Sequence, residues 1–191
     1  MRNPRLLDRR RTVLVVIDVQ ERYRRVLHDW DRVIAACDLL LRGADLLGVP
    51  TLITEQYPQG LGHTADELAR HAPKGSRVIE KRSLSCHGAP EFVESLRATG
   101  RRQILVAGIE THACVNQTVH DLLEAGHQVH VAEDTTSSRL ARDVAPAWAK
   151  MLGAGMIPTT SEQALLELVE TAEAQEFRSL QSMLKDAKRW Q

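Results

Sequence analysis

Apolar positions along this chain follow two alternating rhythms. The first is a short unbroken run: TVLVVI (12–17), TLIT (51–54), RVIEK (77–81), QILVAG (103–108), QVHVAE (128–133) and the weaker GMI (155–157). Runs of this length, rich in β-branched residues, predict strands buried on both faces, as in a parallel sheet. The second is a helical stripe. Val33, Ile34, Cys37, Leu40, Leu41, Ala44 and Leu47 share one face between Asp31 and Leu47, Gly48 closes that helix and Pro50 follows. Further helices are expected over 89–100, stopped by Gly100, over Ala113–Ala125, ended by Gly126, and over 139–152. Ser161 starts another in SEQALLELVE, and the tail EAQEFRSLQSMLKDAKRW continues as an amphipathic helix. The glycine- and proline-rich stretch after the second strand predicts a loop and a short helix with Thr64 as N-cap.

Strand and helix thus alternate about six times, which predicts an α/β protein. The expected architecture is a three-layer α-β-α sandwich around a six-stranded, mostly parallel, doubly wound (Rossmann-like) sheet with right-handed crossovers. At 191 residues the chain suits one domain, 1–191, with an N-terminal tail over 1–11 and a C-terminal helical arm from about 173 to 191. The arm, which carries Trp190, packs either on a partner subunit or on the chain's own sheet; the pattern does not separate the two.

Composition narrows the function classes. Apolar content of 43% is ordinary for a protein with a packed core. Lys plus Arg and Asp plus Glu number 25 each, so nothing favours nucleic acid or an anionic membrane as main partner. Net charge near zero also leaves self-association unopposed. Three cysteines, Cys37, Cys86 and Cys114, have no framework spacing, which fits a reducing, cytoplasmic setting better than a disulfide scaffold. No apolar stretch is long enough to span a bilayer. The arginine-rich start MRNPRLLDRRR lacks a signal-peptide core and reads as a solvated tail capping the first strand.

In open α/β sheets, sites lie beyond the carboxyl ends of the strands. Asp18 ends the first strand, Lys81 ends the third, and Cys114 follows the fourth at the start of a helix. Taken singly, each has an ordinary reading: a loop acid, a surface lysine, a small buried residue. Together they offer an acid, a base and a thiol at one edge. A helix start and a nearby ammonium favour the thiolate, whereas a carboxylate alone raises the thiol's pKa but is able to accept its proton. Cys86, in SLSCHG, is read as packing, with a pocket-lining place or a disulfide to Cys114 left open.

The segments VLVVIDVQERY (14–23), EKRSLSC (80–86), VAGIETHACVNQTVHDLLEAGHQVHV (106–131) and EDTTSSR (133–139) resemble the isochorismatase-like cysteine hydrolase superfamily, which includes nicotinamidases and N-carbamoylsarcosine amidohydrolases. TEQYPQGLG, SSR, TSE and EFRSLQSMLKD are most similar to its isochorismatase domain-containing proteins of unsettled function. The resemblance implies a catalytic triad of Asp18, Lys81 and Cys114. It also implies a cis peptide between Ile109 and Glu110, and an oxyanion hole made by the Glu110 and Cys114 amides. Isochorismatases proper lack the cysteine, so attack on an amide-like carbonyl through a thioester is expected. Nicotinamidases carry an Asp-x-His pair where this chain has Glu55–Gln56–Tyr57, and tyrosine is a poor ligand for a zinc-type site. No metal and no cofactor are therefore expected. Gln20, Tyr23, Tyr57 and His112 are candidate pocket walls for a small-molecule substrate. Homo-oligomers, dimeric or tetrameric, are expected from the resemblance. Two other classes stay open: an idle binding or scaffold protein on the same fold, and a redox role for Cys114 with Cys86.

Overall fold

Strands Thr12–Ile17 (β1), Thr51–Gln56 (β2), Arg77–Lys81 (β3), Gln103–Ile109 (β4), Gln128–Ser137 (β5) and Ile157–Thr159 (β6) form one sheet in the order β3-β2-β1-β4-β5-β6. This is a computed structural model, and it describes residues 2–187. All five neighbouring pairs are parallel. The chain winds outward from β1 in one direction and from β4 in the other, so the switch point lies between these two.

The helices are Trp30–Leu47 (α1), Pro58–Leu61 (α2), Asp66–Ala69 (α3), Pro90–Ala98 (α4), Asn116–Glu124 (α5), Val144–Gly153 (α6), Ser161–Val169 (α7) and Phe177–Ala187 (α8). They bury the two faces of the sheet in two separate cores. Successive side chains of a strand point to opposite faces. Leu14 and Val16 accordingly meet α1, α7 and α8, while Val13, Val15 and Ile17 meet α4, α5 and α6. Continuous apolar strands are what a sheet covered on both sides requires.

Gly108 sets how closely β1 and β4 approach at their carboxyl ends. Its φ is 114°, and a Cβ there would stand 2.1 Å from the Ile17 carbonyl oxygen. Only glycine fits, and Asp18 follows Ile17 directly.

Several boundaries differ from the sequence expectation. The N-terminal tail is exposed along most of its length, as expected, but is anchored at Leu7 and Asp8. Leu7 is fully buried, Asp8 N–H donates to Gln103 Oε1, and Gln103 Nε2 donates to the Leu6 carbonyl. β5 runs on to Ser137 through a register shift against β4. The helix expected over 139–152 begins at Val144, and α5 begins at Asn116 after a wide π-type turn, Thr111–Val115. Thr64 does not cap α3; its hydroxyl donates to Glu55 Oε1 at 2.8 Å. Thr160, one residue before Ser161, caps α7 by accepting from Gln163 N–H. The described part of the C-terminal arm packs on its own chain, burying Leu180 and Leu184 in the core that α1 and α7 share. Trp190 lies outside the described residues. Among the described residues no helix is long and apolar enough to cross a membrane.

Candidate active site

The carboxyl ends of β1, β2 and β3 bring an acid, a hydroxyl, an amide and an ammonium together. Asp18 leaves β1 with φ 53°, a left-handed conformation uncommon for a residue with a side chain, and is 1% exposed. Thr54 on β2 donates its hydroxyl proton to Asp18 Oδ1 at 2.7 Å. Lys81 Nζ lies 2.7 Å from Asp18 Oδ2, with both side chains sealed from solvent. The same ammonium donates to Gln56 Oε1 at 2.6 Å, the Leu84 carbonyl at 3.0 Å and the Ser83 carbonyl at 3.2 Å. Oxygen acceptors therefore surround it, as a buried charge requires. Burial works against the ammonium, but the Asp18 carboxylate prevails, and the lysine's pKa is raised.

Cys114 reaches the same place from the other side of the switch point. It sits buried in the wide turn between β4 and α5, close enough to Asp18 and Lys81 for both charges to act on its thiol. Burial first, and then the Asp18 charge, push its thiol up to about 12 against the opposing pull of Lys81. Of the opposing influences expected on this thiol, burial and the carboxylate outweigh the ammonium. The lysine charge is matched by Asp18, and Cys114 precedes the first turn of α5. At neutral pH the cysteine is a thiol beside the Asp18–Lys81 pair. Wide turns of this kind are frequent at functional sites.

Cys86 lies behind this group. Its Sγ is 3.7 Å from Thr54 Oγ1, its N–H donates to Thr118 Oγ1 at 2.9 Å, and burial followed by the Asp18 charge push its thiol up to about 11. All three cysteines are free.

The Ile109–Glu110 peptide is cis. The buried Glu110 side chain accepts at Oε1 from Arg139, through the backbone N–H at 2.9 Å and Nε at 3.0 Å. Tyr23 faces this side of the site. Burial and the charges of Glu110, Cys114 and Asp18 push its phenol up to about 12. His112 Nδ1 lies 2.9 Å from Ser138 Oγ. Gln20 is fully buried, and its amide serves the backbone: Nε2 donates to the Gln56 and Gly62 carbonyls while Oε1 accepts from Gln56 N–H. Tyr57 turns outward, 42% exposed, with the Arg82 guanidinium 4.0 Å from its ring centre. The structure thus gathers Asp18, Lys81, Cys114 and Tyr23, places Gln20 as a brace behind them, and sets Tyr57 at the rim.

Glu55 stands in the segment that carries a metal ligand in nicotinamidases. Its Oε1 accepts from Thr64 N–H and Oγ1, and its Oε2 lies 2.9 Å from His63 Nδ1. Among the described residues no three His, Cys, Asp or Glu side chains gather as a set able to hold a metal ion. Sequence reasoning missed Thr54 and Gln56, the direct partners of Asp18 and Lys81. Their place at the carboxyl end of the strand between β1 and β3 was the available signal.

Known proteins share this arrangement of chain. The isochorismatase domain model matches residues 12–163. Isochorismatase domain-containing protein 1 of Salmo salar is 38% identical over 91% of this chain; the match spans 61% of the salmon protein. A structure of MAR1 ribonuclease from Caenorhabditis elegans superposes with a TM-score of 0.90 at 34% identity, covering 94% of this chain and 92% of that one. The YcaC gene product of Escherichia coli, an octameric hydrolase of unknown specificity, shares the fold at a TM-score of 0.88 and 22% identity, covering 99% and 96%. By the extent of these matches and by the sheet order that carries them, the chain belongs to the isochorismatase family, on a hydrolase-type fold.

Proposed function

We propose that the protein is a cysteine-dependent hydrolase of small amide-like substrates, with Cys114 as nucleophile, Asp18 as proton carrier and Lys81 as charge partner. The observation that carries this reading is the buried Asp18–Lys81 pair, 2.7 Å apart, with the buried Cys114 thiol within reach of its charge. A thiol at about 12 is a poor nucleophile at rest. Its proton must leave as the new bond forms, and the acceptor is in place.

In the first half-reaction Asp18 takes the Cys114 proton while sulfur attacks the carbonyl carbon. The carbonyl electrons move onto oxygen, which the amides of Glu110 and Cys114 hold. Such donors are worth about 3–4 kcal/mol each in other enzymes. The C–N bond then breaks, the amine leaves with the proton from Asp18, and a thioester remains. In the second half, Asp18 takes a proton from water, hydroxide adds to the thioester, and the acid departs as the proton returns to sulfur. Lys81 stays paired with Asp18 and balances its charge at the start of each half. Self-association is part of the proposal, since net charge is near zero and the E. coli neighbour is an octamer.

The test is intact-mass detection of an acyl adduct after rapid quench with a panel of small amides and ureides, on wild type and Cys114→Ala. A single RNA arm is added because a neighbour is named a ribonuclease. An adduct and turnover that vanish in the variant support the reading. Binding of panel compounds without adduct or turnover would replace it with the idle binding-protein reading, and RNA cleavage without amide turnover would replace the substrate class.

A further inference from the structure

A second concave surface, sharing no residue with the site above, is strongly positive. It lies between α4 and α5, encloses about 350 Å3, and is lined by Arg97, Arg101, Arg102, His87 and His127, with no Asp or Glu in its walls. Arg101 donates to the Arg9 carbonyl at 2.9 Å. Arg97 and Arg102 have no ion-pair partner among the described residues.

The fold itself accounts for only part of this charge. α4 ends at Ala98 and α5 at Glu124, so two helix carboxyl ends point toward the groove. Each such end is equivalent to about half a negative charge, so together they offset about one of the guanidiniums. An excess of about two positive charges remains in a chain whose formal net charge is zero. No Asp or Glu in the walls balances these guanidiniums.

We propose that this groove binds a phosphate dianion borne by a small organic molecule. The excess charge matches a phosphomonoester near neutral pH. Planar guanidinium forks suit phosphate oxygens, each giving two parallel N–H donors. Val93 and Leu96 provide an apolar floor for the organic portion, and the volume suits a small ligand. His127 fits the same reading. Its Nδ1 is buried with no hydrogen-bond partner among the described residues. Burial lowers its pKa against an opposing interaction with the Arg102 backbone, the charges of His87 and Arg102 add to the lowering, and a bound dianion works in the other direction.

The experiment is calorimetric titration with phenyl phosphate and, in parallel, inorganic phosphate, on wild type and on Arg97→Gln/Arg102→Gln. Both side chains are exposed, so the variant keeps the fold, which a thermal melt checks. Saturable binding that weakens about tenfold in the variant is expected, together with a rise in the His127 ring pKa followed by NMR. Tighter binding of phenyl phosphate than of inorganic phosphate identifies an ester as the ligand; equal binding identifies free phosphate. No saturable heat with either probe overturns the proposal, as does binding indifferent to the two arginines. Capture of a short single-stranded RNA through those arginines, with neither small probe binding, also overturns it and makes the groove a nucleic-acid surface.

Discussion

Thr54 and Asp18 face each other across adjacent strands, and the hydroxyl gives its proton to Oδ1 at 2.7 Å while Lys81 occupies Oδ2 at 2.7 Å. The carboxylate is thus gripped on both oxygens, and its direction toward Cys114 is fixed by a β-sheet register.

Thr54→Val removes one grip and leaves the shape nearly unchanged. A hydrogen bond to a charged group contributes about 1.5–3 kcal/mol, so turnover of the best amide should fall about tenfold to a hundredfold. KM should stay close to wild type, and Thr54→Ser should recover most of the loss. An equal loss in the serine variant would show that the methyl group, not the hydroxyl, matters.

Cys114 in the ligand-free protein should react slowly with iodoacetamide at pH 6, because burial and Asp18 push its thiol up to about 12. The rate should climb about tenfold per pH unit between roughly pH 7 and 10, following the thiolate fraction. Fast labelling at pH 6 would contradict a thiol raised by burial and the Asp18 charge.

Alkali should destabilise the fold. Cys114 and Cys86 are raised from 9.0 to about 12 and about 11, Tyr23 is raised from 10.0 to about 12, and Lys81 is raised from 10.5. A group whose folded value lies above its unfolded value contributes stability below the unfolded value and loses it as pH rises through the folded one. Stability from these groups is therefore complete below about pH 9 and declines between about pH 9 and 12. Melting temperatures across that window should fall, and less steeply in Cys114→Ala.

Lys81→Met leaves a buried carboxylate without its counter-charge. Breaking such a pair costs about 3–5 kcal/mol. Adding Asp18→Asn should recover part of that loss, because the uncompensated charge goes with it. Urea melts of the two single variants and the double variant measure the coupling; additive losses would mean that the pair is not a unit.

Gly108→Ala places a methyl group against the Ile17 carbonyl at 2.1 Å, on a backbone with φ 114°. Overpacking and backbone strain together should cost about 2–5 kcal/mol. The melt should show this, whereas Gly153→Ala, which meets no atom within 4 Å and has an ordinary helical place, should be near neutral.

Sequence made the sheet legible because strands covered on both faces are apolar without interruption, and TVLVVI or QILVAG admits few other readings. It also placed Asp18, Lys81 and Cys114 at one edge, since parallel strands share their carboxyl ends. The end of β5 was illegible for a local reason. EDTTS is polar, but Thr135 and Thr136 return their hydroxyls to the Ala132 and Glu133 carbonyls, so the strand continues through its register shift. Thr54 passed for one more β-branched strand residue, and Gln56 for a loop residue. The state of the thiol was beyond reach. It depends on how deeply Cys114 is buried and on the fact that the Lys81 charge is already matched, and both are properties of three strands meeting. In the tail, Leu7 is buried while its neighbour Leu6 is 39% exposed, a distinction the surrounding arginines conceal.

Gln20 has a consequence for motion. One buried amide ties the end of β1 to the backbone at Gln56 and Gly62, and Gln56 in turn holds Lys81. The wall that carries Asp18 and Lys81 is therefore cross-braced and moves as one body. The opposite wall is fastened at its rim by Arg139, whose side chain is 58% exposed. Slow amide exchange at Gln56, whose N–H donates to the buried Gln20 amide, is the imprint this bracing leaves.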